Sequence, residues 1–153
     1  MTNTPKTLPR PTESELELLR ILWDKQPATV RAIFDTLNQE RPSGYTTVLK
    51  LLQIMTAKGL VVRDEANRAH VYRSAISQDA MQSKILKDLS MRLFSGSAAQ
   101  LALHALAMET SSDTELDEIR QLLNKRAAGA AFRPTKANLD THQTEHLKGR
   151  GEL

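Results

Sequence analysis

Apolar residues recur at three- and four-residue spacing along most of this chain, with one short stretch where apolar and polar positions alternate. Pro11-Thr12-Glu13-Ser14-Glu15 opens the first helix that this spacing predicts. Thr12 suits an N-cap, and Glu15 stands three residues on, as a capping box requires. Leu16, Leu19, Leu22 and Trp23 then share one face. Pro27 closes the helix because it cannot continue the hydrogen-bond ladder. Thr29 caps a second, shorter helix with Val30, Ile33, Phe34 and Leu37 on its apolar side. Arg41-Pro42-Ser43-Gly44 breaks the pattern, and a third helix runs from about Ser43 or Gly44 to Lys58, its buried stripe being Val48, Leu51, Leu52 and Met55. Gly59 reads as its stop, with Lys58 complementing the helix dipole.

The pattern then changes period. Leu60-Val61-Val62-Arg63, a polar turn from Asp64 to Arg68, and alternating His70-Val71-Tyr72-Arg73 predict a β-hairpin. Three helices followed by a hairpin is the order of a winged helix-turn-helix. Ser77 caps a fourth helix reaching Phe94, with Met81, Ile85, Leu89 and Leu93 spaced by fours. Ala98 to Met108 forms a fifth, and the capping-box pattern Ser112-Asp113-Thr114-Glu115 starts a sixth, carrying Leu116, Ile119, Leu122 and Leu123. Three such helices bury little alone. The expectation is therefore a homodimer in which Met81, Ile85, Leu89, Leu93, Leu101, Leu116, Ile119 and Leu123 meet a second copy. Packing back onto the first domain is the alternative. From Ala127 onward Ala, Gly, Thr, His and charge dominate, which predicts a mostly disordered tail.

Composition adds mainly exclusions. With no Cys there is no disulfide framework, thiolate metal site or cysteine nucleophile. The polar, Pro-containing start has no signal-peptide h-region, and no apolar run is long enough to span a bilayer, so a cytoplasmic protein is expected. The net charge of +3 says less than its distribution. From Arg41 to Arg73 six basic residues (Arg41, Lys50, Lys58, Arg63, Arg68, Arg73) face two acidic ones, whereas Lys6 to Glu40 carries five against six and residues 74–153 carry ten of each. The positive excess is confined to the third helix and the hairpin, as an electrostatic footprint for phosphate would be.

Reading DNA requires a helix that fits the major groove with small or hydrogen-bonding side chains at its leading end. With the apolar stripe buried, Ser43, Tyr45, Thr46, Thr47 and Lys50 are the candidates on the third helix. In the hairpin the candidates are Arg63 and Arg68, the latter beside Asn67 near the tip, where an Arg can bind phosphate or enter the minor groove. Asp64 and Glu65 oppose phosphate and are expected to point away. His142 and His146 share the spacing of a helical metal pair, but lie in the predicted tail without a clear further ligand and are not read as a metal site. No nucleophile motif, paired-carboxylate constellation or Gly-rich phosphate loop appears, so neither an enzyme nor a cofactor is expected. The reading is a mainly α chain with a small β-hairpin. It places a winged-helix DNA-binding domain at residues 8–76, a helical dimerisation domain at 77–126 and a tail at 127–153. A winged-helix adaptor that docks a protein instead of DNA is the competing reading.

Thr12-Glu13-Ser14-Glu15-Leu16, Leu22-Trp23, Val30-Arg31-Ala32-Ile33, Tyr45-Thr46-Thr47-Val48, Lys58-Gly59-Leu60-Val61 and Tyr72, in this order and spacing, resemble the penicillinase-repressor (BlaI/MecI) family of bacterial winged-helix regulators. The resemblance extends over roughly residues 8–126. It implies a homodimer on double-stranded operator DNA and repression relieved when a membrane metalloprotease sensor triggers cutting of the repressor. Relatives that are cut carry an Asn-Phe bond in the fifth helix, where this chain has His104-Ala105. Many relatives have Thr and Arg where this chain has Lys50 and Ile54, so their operator sequence does not carry over. A copper-responsive branch relies on Cys ligands, and this chain has none.

Overall fold

The computed structural model describes residues 9–66 and 68–129. Helix α1 (Glu13–Lys25) begins with both arms of the capping box closed. The Thr12 hydroxyl accepts the Glu15 N–H at 3.3 Å, and Glu15 Oε2 accepts the Thr12 N–H at 2.9 Å. Such a cap stabilises a helix start by about 1 kcal/mol. Leu18, Leu19, Ile21 and Leu22 are its buried residues, while Leu16 and Trp23 sit half-buried at the border of the core. The buried arc is thus rotated from the expected stripe, because α1 packs against neighbours on more than one side.

Those neighbours are α2 (Val30–Glu40) and α3 (Tyr45–Lys58), together with strand β3 (Val71–Ser74). Thr29 caps α2 through its hydroxyl, 3.2 Å from the Ala32 N–H. Val48, Leu52 and Met55 of α3 are fully buried, with Leu51 only partly so. Gly59 ends α3 at φ +80°, donating its N–H to the carbonyls of Met55 and Thr56. A side chain rarely tolerates that conformation, which is why glycine stops the helix here.

The hairpin forms from β2 (Val61–Asp64) and β3, and a third strand joins it. Strand β1 (Ala28–Thr29) lies antiparallel on the other edge of β3, giving the order β1-β3-β2. Tyr72 occupies the centre, facing Ala28 on one side and Arg63 on the other, and is almost completely buried. The end of β3 is tied to α1. The Trp23 indole N–H donates to Ser74 Oγ at 3.0 Å and to the Ile76 carbonyl at 2.9 Å, and Gln26 Oε1 accepts the Ser74 N–H at 2.8 Å. Three helices with this small sheet form a winged helix.

Ser77 caps α4 (Gln78–Leu93), whose Met81 is fully buried in the winged-helix core, with Ile85 packed against it. The chain divides into two compact units between Ala98 and Ala99. The second contains most of α5 (Ala98–Met108) and all of α6 (Asp113–Ala127), the latter opened by a complete Ser112/Glu115 capping box. Neither helix has a buried residue. Among the described residues no helix is long and apolar enough to cross a membrane.

Candidate nucleic-acid interface

Burying Val48, Leu52 and Met55 fixes which side of α3 faces outward. Thr46, Thr47, Lys50, Gln53, Ile54 and Ala57 are all exposed, and at this spacing they form one continuous stripe. The first three were expected from sequence. Gln53 was not singled out, although its three-residue step from Lys50 placed it on the same face, and Ile54 now belongs to that face as well. Gly44 is the N-cap and makes no side-chain capping bond, so no side chain occupies the first-turn N–H groups from that position. Ser43 is half-buried and holds the preceding loop: its N–H donates to Asn38 Oδ1 at 3.2 Å and its hydroxyl to the Arg41 carbonyl at 3.4 Å.

At the leading end of α3 the exposed Tyr45 ring meets Phe34 of α2 edge-on, with centroids 5.5 Å apart and planes at 73°. The Arg31 guanidinium carbon lies 5.6 Å over the Phe34 ring, and its Nε is 3.2 Å from Asp35 Oδ1. At the far end, Lys58 Nζ donates to Glu15 Oε1 at 2.7 Å. Glu15 is only 2% exposed, so this carboxylate is a buried charge. Burial alone would raise its pKa. The Lys58 hydrogen bond, the Thr12 N–H and the Lys58 charge outweigh that and hold the carboxyl below its ordinary value.

The basic excess counted along the chain is smaller in space. Lys58 is paired with Glu15, Arg41 with Glu17 at 2.8 Å, and Arg63 with Glu65. Two of these acids come from the N-terminal segment, which a linear count treats separately. Lys50, Arg68 and Arg73 are exposed. In the wing, Asp64 Oδ1 accepts the Ala66 N–H at 2.9 Å and so shapes the turn, while Glu65 turns to Arg63. The Tyr72 hydroxyl and Glu65 together raise the Arg63 pKa above its already high ordinary value. Arg68 stands beside Asn67, which lies outside the described residues, as do His142 and His146.

The residues expected to pair with a second copy separate into groups. Met81 and Ile85 pack within their own winged-helix unit. Leu89, Leu93 and Leu123 are exposed, the last two by 69% and 61%, and Leu101, Leu116 and Ile119 are half-buried. His104 and Ala105 are exposed in the middle of α5.

Comparison with known proteins matches residues 11–125 to the penicillinase repressor family model. The transcriptional regulator BlaI of Mycobacterium tuberculosis is 31% identical over 114 residues, covering 74% of this chain and 82% of the relative. The methicillin resistance regulatory protein MecI of Mammaliicoccus sciuri is 26% identical over 113 residues, covering 74% and 92% respectively. The solution structure of the DNA-binding domain of the repressor BlaI aligns with a TM-score of 0.44 at 20% identity, over 49% of this chain and 92% of that one.

Proposed function

Because the chain belongs to the penicillinase repressor family, we propose that it is a homodimeric transcriptional repressor that binds double-stranded operator DNA through α3 and the β2–β3 wing. The observation that carries this reading is the outward stripe of α3. Thr46 and Thr47 offer hydroxyls for phosphate or base edges and methyls for thymine, and Lys50 reaches a phosphate or a guanine edge. Tyr45 adds a phenol at the helix start, and Arg68 a second anchor from the wing tip. Arg63 contributes less, since Glu65 already holds it. Repression by occupancy needs no catalytic group or cofactor, and its place of action is the cytoplasm.

The test is a titration of the full chain against its own promoter fragment over a salt series. Binding should weaken with salt, each neutralised phosphate adding about 0.9 to the log–log slope. Lys50→Ala and Arg68→Ala should each lower affinity while the far-ultraviolet dichroism stays unchanged. Wild-type affinity in both variants would remove this site assignment. A fragment left unshifted at physiological salt would favour the protein-docking adaptor instead.

Relief of repression is assigned to a membrane metalloprotease sensor that acts indirectly and leads to cutting in α5 near His104-Ala105. A bond inside a helix must first unwind locally to enter a protease cleft, and His104 and Ala105 lie in the middle of α5. Mass spectrometry of the chain recovered from induced cells would locate the cut; an intact chain under full induction would refute this step.

A further inference from the structure

We propose that Arg31, on α2, is an additional phosphate ligand of the DNA interface, and that Phe34 is the positioning residue that couples it to Tyr45. This inference rests on the DNA-binding reading and extends its surface from α3 onto α2. Arg31 is highly exposed, its side chain 71% accessible, yet it is not left to wander: the guanidinium lies 5.6 Å over the Phe34 ring. The same ring is met edge-on by Tyr45, the first residue of α3. Phe34 is itself packed against the core. One fixed aromatic ring therefore sets both an exposed cation and an exposed phenol at the leading end of the reading helix.

The chemistry suits a phosphodiester. A guanidinium held over an aromatic face keeps its planar fork of N–H donors, and Arg binds phosphate oxygens through that fork. Asp35 meets it at Nε, leaving the terminal amino groups, which carry most of its N–H donors, for an incoming oxygen. The acid is the one charged group paired with Arg31 among the described residues, and its i, i+4 contact across solvent is weak. So weak a pairing leaves the fork available to a phosphate. Lysine at position 31 would keep the charge but lose the planar fork.

The experiment uses the full chain and one duplex recovered by selection from a random-sequence library, titrated across a salt series. Arg31→Ala should weaken binding and reduce the log–log salt slope by about 0.9, the contribution of one phosphate contact. Arg31→Lys should keep the slope but bind more weakly than wild type. Phe34→Leu, which preserves apolar bulk, should weaken binding severalfold. Its melting temperature, followed in parallel, separates lost positioning from lost folding. If Arg31→Ala binds with wild-type affinity and slope while Lys50→Ala binds weakly, α2 makes no phosphate contact and the inference fails with the DNA reading intact. If the wild-type chain selects and binds no duplex, the DNA reading fails and takes this inference with it.

Discussion

Glu15 serves two elements with one carboxylate. Oε2 completes the cap of α1, and Oε1 receives the ammonium of the last residue of α3. The pair is buried on the acid side and more than a third exposed on the lysine side, so solvent screens part of it. Glu15→Gln keeps a group able to accept the Thr12 N–H but loses the charge, and should destabilise the fold by about 1–2 kcal/mol in urea denaturation at neutral pH. Lys58→Met should cost more, because it leaves a buried carboxylate without its cation. The pH dependence follows from the lowered pKa. The stabilisation is fully present above the ordinary carboxyl value of 4.5 and is lost as pH falls through the lower folded value. The stability gap between wild type and Glu15→Gln should therefore close in acid, and a gap that stayed constant would contradict the assignment. The capping half of this residue was legible, since Thr12 and Glu15 are three apart. Its ion pair was not, because Lys58 lies 43 residues away and only packing brings the two together. Arg31 escaped for a related reason: an exposed Arg on an amphipathic helix looks solvated until the ring beneath it is located.

At the scale of elements, period and punctuation carried most of the information. The three helices and the hairpin fall where the spacing predicts, and Gly59 stops α3 as expected, in a left-handed conformation. A Cβ at Gly59 would meet nothing within 4 Å, so Gly59→Ala isolates the backbone penalty and should cost about 1–2 kcal/mol. Calorimetry of the two proteins measures it directly. In contrast, Leu52→Ala opens a cavity in the fully buried face of α3 and should cost about 2–5 kcal/mol by chemical denaturation. Strand β1 was invisible in advance. Two residues cannot show alternation, and the cap signal of Thr29, which does cap α2, masks its place in a strand. The rotated face of α1 was likewise hidden, because a single-stripe pattern assumes one neighbour and this helix has several.

At the scale of the whole molecule, the two units differ in how they use their apolar residues. The first encloses its own core, from Leu18 in α1 to Met81 in α4. The second leaves Leu103, Leu106, Met108 and Leu123 exposed, apolar surface that the proposed dimer would cover. The sequence pattern placed the amphipathic helices but could not divide Met81, which is consumed at home, from Leu93 and Leu123, which are not. Leu93→Asp and Leu123→Asp should accordingly yield monomers with weakened DNA binding, since a dimer gains from engaging two half-sites at once. Sedimentation at micromolar concentration checks this, and a monomeric wild type would end the dimer proposal.

The bond from the Trp23 indole to Ser74 and Ile76 has a practical consequence at this same scale. Trp23 is the chain's only tryptophan, and it sits where α1 meets the end of β3 in the first unit. Its fluorescence is therefore a local reporter of the winged helix, whereas far-ultraviolet dichroism sees every helix. Melting curves from the two signals should coincide if the units unfold together. Should they separate, the optical difference alone would time the loss of the C-terminal helices against the loss of the reading head, with no label added to the chain.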